Sequence, residues 1–283
     1  MKEILVPTDF SAAAENAVNF AVQSAKLAKT NLLLLHAFEL NGDVYTDYMG
    51  VNRAFNQSQF QEVKENLAQV ARQIENKESI IADTTVFKGS VREGILQLEK
   101  EKNIDLVIMG TAGANGLLHK IWGSKTSAII EKTTVPLLAI PVEYKWKKPA
   151  KILLATNHFE TDQKILGIIF ELAECYKATV ELVVFTNEEQ DTAFTYLEHD
   201  RNIPAYEAWL DEKYSFDYIQ VTHLFGNDFE QALENFISQN NIDLLAMVTY
   251  KKSFADRLFH PSITKRISYH TKIPLLAIPA KEE

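Results

Sequence analysis

Cysteine is almost absent from this chain: Cys175 is the sole one in 283 residues. One cysteine closes no internal disulfide, which excludes a small cross-linked secreted framework. On an amphipathic helical pattern it is expected to be a buried structural thiol. Long apolar runs are missing too. The longest, Leu32–Leu35 and Val135–Val142, fall far short of the roughly 20 residues that span a bilayer. No membrane association is expected. Positive charge is in deficit, with 29 Lys and Arg against 38 Asp and Glu and a formal net charge of −9. A general nucleic-acid binder needs the opposite balance to neutralise phosphates. Met1-Lys2-Glu3-Ile4-Leu5-Val6 enters a strand pattern at once, with no apolar signal region ahead of it. A cytoplasmic location is therefore expected.

What remains is ordinary globular composition, 46% apolar and 24% charged, in a length that suits two domains. The chain repeats itself. Val135-Pro-Leu-Leu-Ala-Ile-Pro141 recurs as Ile273-Pro-Leu-Leu-Ala-Ile-Pro279, and Asn103-Ile-Asp-Leu106 recurs as Asn241-Ile-Asp-Leu244, both 138 residues on. Ile4-Leu5-Val6 matches Ile152-Leu153-Leu154 at an offset of 148. The second copy is thus about ten residues shorter, and the polar segment from Leu40 to Phe60, which reads as a long loop, is the natural place for the difference.

Within a copy, apolar strands alternate with helical periodicity. Ile4–Pro7, Leu32–Phe38, Thr84–Lys88, Leu106–Met109 and Leu137–Ile140 read as strands. A helix capped by Ser11, then Phe60–Ile74, Val91–Lys102 and Ser124–Lys132, read as helices. Such alternation predicts an α/β fold with parallel sheets, and uniformly apolar strands imply helices on both faces. The expectation is two tandem doubly wound, Rossmann-like domains, 1–143 and 150–283, joined by a charged linker over Glu143–Pro149.

The chain has ten glycines, and four of them fall in Gly110-Thr-Ala-Gly113-Ala-Asn-Gly116-Leu-Leu-His-Lys-Ile-Trp-Gly123-Ser124. This segment follows a buried strand and enters a helix. Glycine lets backbone N–H groups approach an anion, and a helix start adds unpaired donors and the positive end of a dipole. Gly110 and Asp9 both stand at carboxyl ends of strands, where open parallel sheets bind ligands. A carboxylate at Asp9 can accept from ribose hydroxyls or an adenine amino group. No Gly-Lys-Ser/Thr closes the loop, and the spacing is not a dinucleotide fingerprint. A flexible strand-to-helix connection with Ser124 as a plain cap accounts for the same residues.

These residues resemble the universal stress protein family of the UspA type. Its motif, Gly, two residues, Gly, nine residues, Gly, then Ser or Thr, is met by Gly110, Gly113, Gly123 and Ser124. Val6-Pro7-Thr8-Asp9 resembles the end of the family's first strand and Val135–Pro141 its last. The likeness covers both halves. It implies five parallel strands per domain with helices on both faces, and ATP, with or without magnesium, in domain one. Carried over, Pro7, Thr8 and Asp9 border adenine and ribose, Ala37 packs on adenine, and Met109 borders the base. Gly110, Gly113, Gly123 and Ser124 hold the phosphates with the N–H groups of Lys125 and Thr126. ATP-binding members often carry a basic residue where this chain has Ala112; Lys120 or Lys125 would have to compensate. The resemblance also implies pairing through the last strands, as an internal pseudo-dimer or in a homodimer.

The second copy departs from the motif. Gly110 becomes Val248, Gly113 becomes Lys251, Gly123 becomes Pro261 and Asp9 becomes Asn157; Ser124 survives as Ser262. Valine and proline do not take glycine's geometry, and proline removes a donor. This copy is expected not to bind a nucleotide in that way. It is either structural or, through Lys251, Lys252, Arg257 and Lys265, a site for another anion. His158, His223 and His260 could converge as zinc ligands, but none has ligand-like spacing, and no metal is expected. No catalytic residue is assigned. The leading function is an adenine-nucleotide-binding regulatory module with an unidentified protein partner. Slow ATP hydrolysis and a nucleotide-free interaction scaffold are the alternatives.

Overall fold

The computed structural model describes residues 1–38, 51–111, 124–216, 218–250 and 272–280. They form two compact units, one ending at Val142 and the other starting at Glu143.

In the first unit, β1 (Glu3–Pro7) leads into α1 (Ala12–Ala28), β2 (Asn31–Phe38), α2 (Val51–Glu78), β3 (Ala82–Lys88), α3 (Val91–Glu101), β4 (Leu106–Thr111), α4 (Ser124–Ile130) and β5 (Leu137–Pro141). All strand pairs are parallel, in the order β3-β2-β1-β4-β5. The chain therefore reverses direction across the sheet between β1 and β4. Right-handed crossovers put α1 and α2 on one face and α3 and α4 on the other, and the neighbouring pairs are α1 with α2 and α3 with α4. Ile4, Leu5 and Val6 are wholly buried, as a central strand covered on both faces must be.

The second unit repeats the plan with β6 (Lys151–Thr156), α5 (Gln163–Tyr176), β7 (Thr179–Asn187), α6 (Ala193–Tyr214), β8 (Ile219–Gly226), α7 (Phe229–Asn240), β9 (Leu244–Tyr250) and β10 (Leu275–Ala280). Its strands are again parallel, ordered β8-β7-β6-β9-β10.

The repeated Asn-Ile-Asp-Leu segment has a structural purpose. The Asp243 carboxylate accepts from the N–H groups of Ala150 (2.8 Å) and Lys151 (3.1 Å), and from Lys147 Nζ at 2.8 Å. Asp105 does the same for the N–H groups of Lys2 and Glu3. Each aspartate, just ahead of the fourth strand of its unit, pins the start of the first strand.

One expectation is corrected. The segment up to Phe60 was expected to be loop, yet α2 already begins at Val51. Polar residues alone do not make a loop. Residues 51–78 contain no Gly and no Pro, so nothing in the backbone opposes a helix. Leu67, Ala71 and Ile74, at helical spacing, are buried. Residues 39–50, the rest of that expected loop, lie outside the described residues.

Cys175, on α5, is half-buried. Burial, with the Glu171 carboxylate nearby, pushes its thiol up to about 11. The reactive thiolate is then scarce at neutral pH. The folded chain should react with a disulfide reagent at least about tenfold more slowly than the unfolded chain; equal rates would show that the thiol is open to solvent.

Candidate functional site

The carboxyl ends of β1, β2 and β4 meet where the strand order reverses, the usual ligand position in such a sheet. Pro7 ends β1, opposite Leu35 of β2. Ala37 lies two residues beyond Leu35, opposite Phe87. Met109 and Gly110 lie at the end of β4, opposite Ala139 and Ile140 of β5. The structure thus places Pro7, Thr8, Asp9, Ala37, Met109 and Gly110 at one end of one sheet. Ser124, Lys125 and Thr126 open α4, which runs back from that end; Thr126 is buried. Gly113 and Gly123 lie outside the described residues.

The connection after β1 is tightly specified. Thr8 is buried, its N–H donates to the Leu35 carbonyl at 2.8 Å, and its hydroxyl accepts from the Phe10 N–H at 3.1 Å. Asp9 is exposed. Its Oδ1 accepts from the Ser11 N–H (3.1 Å) and the Ser11 hydroxyl (2.5 Å), and Ser11 in turn caps α1 by accepting from the Ala14 N–H. Asp9 therefore already orders the start of α1.

Two residues here were not expected from the sequence. Phe10 has φ +61°, a conformation that bulky residues rarely take and that clusters at functional sites. Its ring stacks on His36, centroids 4.9 Å apart. Burial pushes the His36 imidazole toward its neutral form, opposed by the Thr8 backbone and the Asp9 carboxylate. Its Nδ1 is buried without a hydrogen-bond partner among the described residues. The signal was faint: a histidine just before Ala37, in a strand otherwise read only as apolar.

Gly110 has a packing role of its own. A Cβ built there would lie 2.1 Å from the Ala13 carbonyl oxygen. The first turn of α1, Ala12-Ala13-Ala14, rests directly on the end of β4, and only glycine leaves room. The second unit differs at this point. α1 and α5 end alike, at Lys29 and Lys177 in left-handed conformation. Their starts differ: Ser11 caps α1, whereas α5 is capped by Asp162, three residues later in the 148-residue offset. Val248, half-buried in β9, stands where that missing turn would have required glycine.

At the other strand ends of the second unit, Phe185 occupies the place of Ala37. It is buried and meets Phe229 edge-on at 4.8 Å. Asn157 pairs with His158 Nδ1 at 3.0 Å, and His158 Nε2 lies 3.4 Å from Glu160. Burial pushes the Glu160 carboxyl up, but hydrogen bonds from His158 and the Asp162 and Thr161 N–H groups outweigh it and hold the group below its usual range. His223 is bound up elsewhere, with Thr186 and His199. His199 went unnoticed in the sequence because it belongs to no motif. His158 and His223 thus serve different partners, and His260 lies outside the described residues. Among the described residues, no three His, Cys, Asp or Glu are placed to hold a metal.

A family model described as "Universal stress protein family" matches residues 1–141. The chain belongs to the universal stress protein family. Its relatives in that family include Universal stress protein MJ0577 of Methanocaldococcus jannaschii, 26% identical over 153 residues, a match covering 49% of this chain and 94% of that one. Universal stress protein YxiE of Bacillus subtilis is 25% identical over 146 residues, covering 49% and 97%. A universal stress protein from Archaeoglobus fulgidus has a similar structure over 97% of both chains, with a TM-score of 0.73 at 13% identity. At that identity the likeness bears on fold alone, and it extends through both units. Among the described residues no helix is long and apolar enough to cross a membrane.

Proposed function

We propose that the first unit is a regulatory module that binds an adenine nucleotide, ATP with or without magnesium, and that the second unit does not. One observation carries the reading. Pro7, Thr8, Asp9, Ala37, Met109 and Gly110 share the carboxyl ends of β1, β2 and β4 at the strand-order reversal, and the glycine sequence that follows leads into α4. Ala37 and Met109 offer apolar surface to a base, and Asp9 a carboxylate to ribose hydroxyls. Gly110, Gly113, Gly123, Ser124 and the N–H groups of Lys125 and Thr126 would take the phosphates. With Ala112 uncharged, the phosphate grip is mostly backbone, and a modest affinity is expected. In the second unit Phe185 fills the place of Ala37, and Val248, Lys251 and Pro261 replace the glycines.

Calorimetric titration of ATP, with and without magnesium, against the parent chain and Gly123→Val tests this reading. The parent should bind and the variant should lose about tenfold or more in affinity, as loss of two or three donors to an anion entails. A parent that binds no adenine nucleotide overturns the proposal in favour of a nucleotide-free scaffold. Binding unaffected by the substitution overturns the placement of the phosphates. Multiple turnover that vanishes with Gly123→Val would make the module a slow ATPase.

A further inference from the structure

Helix α6 is two helices in one. Pro204 lies inside it. Proline has no N–H, so the Asp200 carbonyl four residues back receives no helical bond from it. Anchoring changes at the same point. After Pro204, Tyr206 and Leu210 are buried core. The Tyr206 hydroxyl donates to the Glu160 carbonyl at 2.5 Å, and the Glu207 carboxylate accepts from the Val221 N–H at 2.7 Å. Before Pro204 no residue of α6 is buried, and Phe194 and Leu197 are 73% and 63% exposed.

What holds the leading half is a polar cluster. The buried Thr186 hydroxyl at the end of β7 lies 2.8 Å from His199 Nδ1 on α6 and 2.9 Å from His223 Nε2 on β8. The Tyr196 ring packs on His223 at 4.5 Å and the Phe159 ring meets His199 at 5.6 Å. A threonine hydroxyl carries one proton. With both rings neutral the cluster closes: one imidazole donates to Oγ1, and Oγ1–H donates to the other. A single charge still closes it, the charged ring donating to Oγ1 and Oγ1–H donating to the neutral ring; two charged rings have no such solution. Both rings would donate, the hydroxyl proton would lose its acceptor, and two positive rings would face each other with centroids 5.8 Å apart.

We propose that His199, Thr186 and His223 form an acid-released latch, which fastens the leading half of α6 to β7 and β8 and frees it to move about Pro204 in acid. The surroundings define the balance. His223 Nδ1 is buried without a hydrogen-bond partner among the described residues; the Asp200 carboxylate, with Oδ1 3.8 Å away, opposes release. β8 adds the Phe225 ring and α6 the Tyr196 phenol. The connection after β6 presents Phe159, beside His158 and Glu160, which pair with each other. Burial pushes the His223 imidazole below its usual range, and His199 adds to this while Asp200 resists it. Released, His223 binds its proton more readily than in the closed latch. The latch is therefore fully closed above the ordinary histidine value of about 6.5 and weakens as pH falls below it.

Hydrogen–deuterium exchange on the full chain at about pH 7.5 and about pH 5.5, corrected for intrinsic rates, reads the latch directly. Protection over 194–203 should fall roughly three- to tenfold at the lower pH while 205–214 keeps its protection. Asp200→Asn, at an exposed position, should enlarge that fall, and the double variant His199→Gln/His223→Gln should abolish the pH response whatever its baseline. Protection over 194–203 that is equal at both pH values, a loss spreading through 205–214, or a response surviving the double substitution would each overturn the proposal. Should the double variant not fold, the parent chain and Asp200→Asn still decide.

Discussion

Replacing Gly110 by valine should destabilise the first unit by roughly 3 kcal/mol or more, and alanine should do nearly as much harm. The obstacle is the carbonyl group of Ala13, with its oxygen 2.1 Å and its carbon 2.5 Å from the new Cβ. That obstacle is backbone, so no rotamer change relieves the clash. Either the first turn of α1 unwinds, losing the Ser11 cap and the burial of Ala13 and Ala14, or β4 shifts against β1. The urea transition of the first unit should move to a lower midpoint with little change in slope. A midpoint within error of the parent would mean that α1 does not rest on β4. Loss of nucleotide binding in a Gly110 variant would accordingly say little about the phosphates, which is why Gly123 is the better probe.

Asp243→Ala should destabilise the second unit by about 2–4 kcal/mol. Asp243 is 8% exposed, and its carboxylate satisfies the N–H groups of Ala150 and Lys151 along with the Lys147 ammonium. Removing it strands two donors at the start of β6. Asparagine keeps one acceptor oxygen and should lose about half as much. Differential calorimetry of the three proteins checks the order parent, asparagine, alanine. An alanine variant as stable as the parent would show that water replaces the carboxylate without loss.

Asp243 also shows how far the sequence can be read. The recurrence of Asn-Ile-Asp-Leu revealed the internal repeat, and apolar strands such as Ile4–Val6 and Leu32–Leu35 announced a parallel sheet because burial on both faces leaves no room for polar alternation. The role of the aspartate was invisible, since its partners lie about a hundred residues away. Local polarity misled at α2, where asparagine, glutamine and serine looked like loop but carry no backbone penalty large enough to stop a helix. At the candidate site, the strand ends marked Asp9 and Gly110, and the family resemblance added Pro7. Both missed Phe10 and His36, whose relation is a ring stack between a connection and a neighbouring strand, and His199, which meets His223 through a threonine on a third element. Such contacts leave no periodic trace.

The later start of α5 limits the order in which changes can accumulate in a chain that repeats itself. Starting from the arrangement of the first unit, valine at the β4 position collides with the helix above it, so the glycine has to outlast the first helical turn. Once that turn is gone, valine fits and the glycine is free to disappear. Going back is harder. Restoring glycine at 248 takes a β-branched side chain out of a strand that favours it, and lengthening α5 first would drive it onto Val248. Two changes that are each harmful alone must arrive together, so the second unit is held away from its sibling's arrangement by its own packing.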